Sequence, residues 1–141
     1  MPQFSRRSYP DPVRDSLVEV RRGLLRLHKA LIDAERIDFE RGRGPVTNAQ
    51  LLQALIEEPF FAWLRPFSGL IVEIDEALAD RQPISPAAAR GFVERVRELV
   101  QLPEGAERPE LSRLEQVRTR HPEVLLLHLE LNSRIASALG R

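Results

Sequence analysis

Apolar residues recur along the first third of the chain at alternating intervals of four and three. The positions in this stripe are Val13, Leu17, Val20, Leu24, Leu27, Leu31 and Ala34. Such alternation is typical of a helix that packs along one seam. Asp11 is placed to cap the helix, and Pro12 suits its first turn. Gly42, Gly44 and Pro45 predict its end, so the helix has about 30 residues and a length of about 45 Å.

A second apolar stripe runs beside the first one on the same predicted helix. Its members are Val18, Leu25, Ile32 and Phe39. Two stripes make the apolar face wider than a two-stranded coiled coil needs. The pattern therefore favours a helical bundle over an isolated coiled coil.

Two further helices are predicted between residues 47 and 80. Thr47 and Gln50 have the spacing of a capping box, and they start a short second helix. The buried face of this second helix is predicted from Leu51, Leu52, Leu55 and Ile56. The inward stripe of the third helix is predicted from Phe60, Trp63, Phe67, Leu70, Ile71, Ile74 and Leu78. Pro66 lies inside that stripe, so we expect a kink or a break at Arg65 and Pro66.

The last third of the chain contains signals for three more helices. Ser85 and Pro86 begin the fourth helix, whose inward residues are Phe92, Val93, Val96, Leu99 and Val100. Residues 103–110 have a loop composition, and a short fifth helix follows through Leu111, Leu114 and Val117. The last helix begins near Pro122 and ends at Gly140, with an inward stripe of Val124, Leu127, His128, Leu131 and Ile135.

No segment has an extended strand-like alternation of apolar and polar residues, so the predicted fold is all-α. Four long helices (the first, third, fourth and last) and two short ones are expected to form an antiparallel bundle. We expect one domain over residues 1–141, with residues 1–10 as a flexible N-terminal tail.

Charge is balanced over the whole chain but not along it. The 21 Lys and Arg residues equal the 21 Asp and Glu residues. Residues 1–30 carry seven basic and three acidic groups, whereas residues 31–80 carry four and ten. This dipolar pattern suits self-association. Arg14, Arg21 and Lys29 can form a basic ridge for nucleic acid, but Asp15 and Glu19 interrupt it and make nucleic acid a weak alternative.

The composition excludes some kinds of chemistry and predicts a location. The chain has no cysteine, which excludes disulfides, thiolate catalysis and cysteine-ligated metals. No apolar run is long enough to span a membrane, and the N-terminus lacks the pattern of a secretory signal. We expect a cytoplasmic protein of bacterial type with no membrane association.

Candidate chemistry in the polar residues is sparse. No Glu-x-x-His pair is present, so we predict neither a metal site nor a cofactor, and no catalytic residue. His28 and His128 border apolar stripes, and each is expected to be neutral and to donate to a nearby carboxylate or carbonyl. Asp75 borders the inward stripe of the third helix and is expected to form an ion pair with a residue of a neighbouring helix. These three residues define an alternative, a polar site inside the bundle.

Four of the eight aromatic residues lie in the segment PFFAWLRPF, residues 59–67. Phe60, Trp63 and Phe67 match the inward stripe and are predicted to be core residues. Phe61 and Arg65 fall together on the other side of the helix. If that side is exposed, an aromatic ring and a guanidinium there can form a hot spot for a protein partner.

The segment GPVTNAQLLQALIEEPFFAWLRPFSGLIVEIDEAL, residues 44–78, resembles a group of uncharacterised bacterial helical proteins. These share a core of the form GPV…LL…PxFAWLRPxSxLIxxID. The resemblance covers about a quarter of the chain. It implies a bacterial soluble domain and brings no activity with it.

The sequence as a whole favours a non-catalytic interaction or oligomerisation module. A homodimer is the expected state, formed by surface left over on the first helix or by the region of Phe61 and Arg65. The first alternative is a ligand-binding or metal-assisted enzyme with a site at His28, Asp75 and His128. The second is a nucleic-acid-associated protein that uses the basic N-terminal third.

Overall fold

The structure, a computed structural model, describes residues 11–102 and 112–140. Within these ranges the chain forms six α-helices and one 3₁₀ helix, with no strand, which confirms the all-α class. The helices are α1 (Pro12–Arg43), α2 (Asn48–Glu57), the 3₁₀ helix (Pro59–Leu64), α3 (Arg65–Ala79), α4 (Pro86–Val100), α5 (Ser112–Arg120) and α6 (Pro122–Ala138). The predicted tail at 1–10 and the predicted loop at 103–110 lie outside the described residues.

Helix α1 begins and ends where its sequence signals predict. The Asp11 carboxylate accepts a 3.0 Å hydrogen bond from the backbone N–H of Arg14, which satisfies one of the free donors of the first turn. Gly44 ends the helix in a left-handed conformation with φ of 87°, which glycine adopts without steric cost. Of the predicted seam, Val13 is half-buried and the other six residues are buried.

Helix α1 is the common support of the other elements. It contacts α3, α4, α5, α6 and the 3₁₀ helix. Ion pairs from Arg134 to Glu19 (2.6 Å) and from Arg26 to Glu130 (3.6 Å) show that α6 runs opposite to α1. Arg14 contacts Leu78, Arg21 pairs with Asp75 and His28 stacks on Phe67, so α3 is also antiparallel to α1. The arrangement of all four long helices as one antiparallel bundle stays a prediction.

The aromatic segment differs from its prediction in phase. Residues 59–64 form a 3₁₀ helix, and α3 begins at Arg65, so the predicted break at Arg65 and Pro66 is confirmed. A 3₁₀ helix has three residues per turn, which places Phe61, Leu64 and Phe67 in one inward line. All three are buried, whereas Phe60, predicted to be a core residue, is 37% exposed. The prediction assumed an α-helical period throughout, so it wrongly placed Phe60 in the core and Phe61 on the other side of the helix.

The remaining helices complete one continuous hydrophobic core. Ser85 caps α4 through a 3.1 Å hydrogen bond from the N–H of Ala88, as predicted. Leu114 and Val117 of α5 are buried, and α6 buries Val124, Leu131 and Ile135. These side chains join the α1 stripe and the inward residues of α3 and α4 in a single cluster. The core is thus assembled from stripes that the sequence marks, with two exceptions. One is the shift in the 3₁₀ helix, and the other is that Leu52 and Ile56 of α2 were predicted to be buried but are exposed.

Gly23 lies at the contact between α1 and α6, and it gives a test of this packing. A β-carbon at Gly23 would lie 3.0 Å from Cδ1 of Leu131, a completely buried side chain. Alanine would gain about 1 kcal/mol of helix propensity, but crowding a packed core costs about 1–3 kcal/mol. We expect Gly23→Ala to lower the free energy of unfolding by about 1 kcal/mol, measured by urea titration.

The matched control is Gly91→Ala in α4, where nothing lies within 4 Å of the added carbon. Here the propensity gain is unopposed, and we expect stabilisation by about 0.5–1 kcal/mol. Equal effects of the two substitutions would show that the α1–α6 contact is looser than the structure indicates.

Candidate functional site

The three residues of the predicted polar site do not meet. Asp75 is half-exposed and pairs with Arg21, the ion pair with a neighbouring helix that the sequence predicts. His128 is buried between α4, α5 and α6, and its ring nitrogens contact Val100 and Arg118. His28 lies in a surface groove between α1, α2 and α3. Each residue has its own surroundings, so the structure brings no two of the three into one site.

His128 forms the two hydrogen bonds of a neutral imidazole. Its Nε2 lies 2.8 Å from the carbonyl oxygen of Val100, which can only accept, so Nε2 donates. Its Nδ1 lies 2.8 Å from a guanidinium nitrogen of Arg118, which can only donate, so Nδ1 accepts. Burial lowers the pKa of His128 below its ordinary value of 6.5, and the charge of Arg118 acts in the same direction against the hydrogen bond to Val100. The sequence-based expectation of a neutral histidine that donates to a carbonyl agrees with this geometry.

Glu35 is a buried ionic residue that sequence reasoning missed. Only 1% of it is exposed. Its Oε2 accepts hydrogen bonds from Nε1 of Trp63 at 2.9 Å and from Nε of Arg113 at 2.8 Å. Glu35 thus joins α1, the 3₁₀ helix and α5. One signal was present, because Glu35 follows Ile32 by three residues and precedes Phe39 by four, inside the second apolar stripe.

A groove beside α2 is a mainly apolar concave surface on the described residues. It encloses about 440 Å³. Its apolar walls are Ile32, Leu52, Leu55, Ile56, Phe61 and Leu64, and its polar lining residues are His28, Arg65 and Ser68. This volume and this mixture of many apolar and few polar groups are typical of binding sites.

The ridge of α2 that borders the groove is exposed and nearly free of charge. Leu52 and Ile56, one helical turn apart, are 61% and 63% exposed. Glu57 is the single charged residue among the ten of α2, although 30% of the chain is charged. Leu25 precedes the groove residue His28 by three positions and Val72 follows the groove residue Ser68 by four, so each lies one helical turn from the groove on the same side of its helix. Leu25 and Val72 are also exposed hydrophobic residues. We call the groove with Leu25, Leu52, Ile56 and Val72 the α2 face.

The two residues of the predicted partner hot spot both lie at this groove, but Phe61 is not exposed as that prediction required, and a role of Arg65 in partner binding stays a prediction. Phe61 is completely buried and forms part of the groove floor, so the condition of an exposed ring is not met. Arg65 is exposed, and its guanidinium donates to the carbonyl oxygens of Leu55 (3.0 Å) and Glu58 (2.9 Å). The Leu55 carbonyl lies in the last turn of α2 and has no N–H donor at position 59, which is a proline, so Arg65 caps α2 at this carbonyl. The Glu58 carbonyl also accepts a 3.1 Å hydrogen bond from the N–H of Phe61.

The basic ridge predicted on α1 is occupied by contacts within the protein. Arg14 donates to the carbonyl oxygen of Leu78 at 2.8 Å. Arg21 pairs with Asp75, and Lys29 pairs with Asp33 at 3.0 Å. Phosphate binding would have to compete with these contacts.

Over residues 11–102 and 112–140, no three His, Asp or Glu side chains are grouped to hold a metal ion, and no described helix combines the length and apolarity needed to cross a membrane.

Comparisons with known proteins add no function to this geometry. No protein-family model matches the chain, and neither the curated proteins nor the solved structures contain a significant match. The resemblance noted over residues 44–78 remains an expectation. The α2 face is therefore assessed from its own chemistry.

The Glu35 cluster predicts an asymmetry between single and double substitutions. Arg113→Met leaves a buried carboxylate without its counter-ion, and we expect it to lower the free energy of unfolding by about 3 kcal/mol. The double variant Glu35→Leu/Arg113→Met removes both charges and is expected to be more stable than Arg113→Met alone. Urea unfolding followed by far-UV circular dichroism measures both.

The control for the cluster is Lys29→Met, which removes one partner of an exposed ion pair. Exposed pairs contribute little, so we expect a change within about 0.5 kcal/mol. If Arg113→Met is as mild as Lys29→Met, the Glu35 cluster does not hold α5 to α1.

His128 predicts that stability falls on acidification. Its pKa is below 6.5 in the folded protein, so between that pKa and 6.5 the unfolded chain binds a proton that the folded protein does not. Stability is then fully present above pH 6.5 and is lost below it, by at most about 1.4 kcal/mol per pH unit. We expect urea titrations at pH 7.5 and 5.5 to show a smaller difference for His128→Gln than for the wild type. Equal differences would mean that His128 does not contribute to the acid sensitivity.

Proposed function

We propose that this protein is a non-catalytic helical-bundle protein that associates with a second copy of itself through the α2 face. The proposal rests on one observation, the exposure of Leu52 and Ile56 beside an apolar groove on a helix with one charged residue. Contiguous exposed apolar surface marks interaction sites on folded proteins. The cores of protein interfaces are also depleted of charged residues.

A second copy fits this face for a reason of charge. A two-fold axis places a surface patch against the same patch of the second copy, so a patch with charges of one sign would repel itself. The ridge of α2 largely avoids this repulsion because its outward residues, apart from Glu57 at its C-terminal end, are apolar or uncharged. The whole chain has a formal net charge of zero, so two copies also approach without long-range repulsion.

The shape of the face also supports an isologous contact. A two-fold axis between Leu52 and Ile56 brings Leu52 of one copy against Ile56 of the other, with the two α2 helices antiparallel. The apolar groove beside each ridge then offers space for the side chains of the opposite ridge. Ridge and groove on one patch are the self-complementary arrangement that a symmetric dimer requires.

The two alternatives from the sequence have weaker support. A ligand-binding or metal-assisted site at His28, Asp75 and His128 would need contacts among residues that have separate partners. A nucleic-acid-associated protein would need the ridge of Arg14, Arg21 and Lys29, which is engaged in internal contacts.

Sedimentation velocity, or light scattering after size-exclusion chromatography, tests the proposal. We expect a dimer whose Kd changes little with salt, because the contact is apolar. The double variant Leu52→Glu/Ile56→Glu should raise the dimer Kd by about 100-fold or more, since it introduces charge at the centre of the interface. Far-UV circular dichroism verifies that the variant is folded.

The matched control is Leu126→Glu on α6, because Leu126 is 66% exposed and does not line the groove. Its Kd is expected to equal that of the wild type. A wild-type protein that is monomeric at about 1 mM, where an association of only −4 kcal/mol would be visible, contradicts self-association and leaves the face to a different partner.

A further inference from the structure

We propose that His28 makes self-association through the α2 face dependent on pH, such that two copies associate while its imidazole is neutral and separate when it is protonated. This inference rests on the proposed self-association. It assigns a regulatory group to the same surface.

The first step is the position of the ring. His28 lines the groove, and its imidazole stacks on Phe67 with centroids 5.9 Å apart and an interplanar angle of 11°. Phe67 is buried and also meets Trp63 edge-on at 6.0 Å, so the surface that supports the imidazole is fixed. The ring is thus held at the groove between buried aromatic packing and the open mouth.

The second step is the absence of any group that would favour an imidazolium. Among the described residues, neither ring nitrogen of His28 has a hydrogen bond or an ion pair. Helix α2 contributes only Leu52, Leu55 and Ile56 to the groove, and the 3₁₀ helix contributes Phe61 and Leu64. Helix α3 contributes Ser68 and Arg65, and Arg65 is a cation. On α1, the adjacent Lys29 is paired with Asp33, and Arg21 with Asp75.

The third step is the effect of covering the groove. No carboxylate lines it, so an imidazolium there depends on water for its solvation. Association through Leu52 and Ile56 of a second copy would remove that water, which costs the charged form much more than the neutral form. Burial within one copy already lowers the pKa of His28 below 6.5, and association would lower it further.

His128 differs from His28 in this respect. Both nitrogens of His128 are used inside one copy, by Val100 and Arg118, and the ring does not line the groove. Protonation of His128 therefore acts on the folding equilibrium. His28 has no hydrogen bond or ion pair within residues 11–102 and 112–140, and it lines the groove that would be covered, so its protonation acts on association.

The sign and the size of the effect follow from proton linkage. Because the pKa of His28 is lower in the dimer than in the free copy, the dimer binds fewer protons in the interval between the two values. The Kd is then constant above the pKa of the free copy and rises as pH falls below it. Two histidines per dimer give at most about a 100-fold rise in Kd per pH unit, tenfold for each.

The test is the dimer Kd from sedimentation at pH 7.5, 6.5, 5.5 and 5.0, with circular dichroism to verify folding at each pH. We expect the wild-type Kd to rise at least tenfold from pH 7.5 to pH 5.0. His28→Leu, which cannot be protonated and suits the apolar groove, should dimerise with a Kd that changes less than threefold. His28→Gln provides a second non-titrating variant if His28→Leu alters folding.

Leu25→Gln is the matched control, because it places an amide on the same face and leaves His28 intact. Its Kd is expected to be higher than that of the wild type and to keep the full pH dependence. The imidazole proton resonance of His28 gives a second readout, with a lower titration midpoint in concentrated than in dilute protein.

The outcomes separate the two proposals. A wild-type protein that is monomeric at every pH contradicts self-association, and the role of His28 fails with it. A dimer with a constant Kd, or a pH dependence that persists in both His28→Leu and His28→Gln, overturns the role of His28 and leaves self-association standing.

Discussion

The packing of the leucine stripe of α1 is the constraint on which the rest of the structure depends. Leu17, Leu24, Leu27 and Leu31 are completely buried, and α1 contacts α3, α4, α5, α6 and the 3₁₀ helix. The second stripe of α1 receives the aromatic segment, where Phe39 lies 4.9 Å from Phe61 and 5.5 Å from Phe60 between ring centroids. Helix α1 thus positions both the helices that pack on its leucine stripe and the aromatic residues that pack on its second stripe.

The groove is a consequence of how the chain crosses that second stripe. Helix α2 has only ten residues, and the 3₁₀ helix follows it immediately, so the chain turns back over α1 within a short distance. Phe61 and Leu64 are drawn into the core by the three-residue period, and they become the floor between α2 and α3. Arg65 fixes the end of α2 to the start of α3 through two backbone carbonyls. Local geometry, rather than a dedicated set of polar residues, therefore forms this apolar groove.

The ridge of the α2 face carries fewer charged residues than the rest of the described surface. Most of the ion pairs among the described residues are at least partly exposed, and such pairs contribute little to stability while they satisfy the arginines. Glu35 is the exception, since its carboxylate is buried and joins three elements. The result is a molecule whose charged groups are largely engaged with one another and whose α2 ridge carries almost none. Apolar contact is then the interaction that this ridge can offer to a second copy.

The sequence by itself determined the helices, because caps, prolines and the periodicity of apolar residues act within a few residues of one another. The capping box of Thr47 and Gln50, the cap by Asp11 and the break before Pro66 are all present where these local signals lie. Only the tertiary structure decided which of Phe60 and Phe61 is buried, since a 3₁₀ turn and an α-turn differ in phase by an amount that composition does not reveal. It also decided that Glu35 meets Trp63 and Arg113, residues 28 and 78 positions away, and that His28, Asp75 and His128 stay apart. Contacts between distant parts of a chain depend on how whole helices cross, and that geometry is set by the sum of the packing rather than by any local pattern.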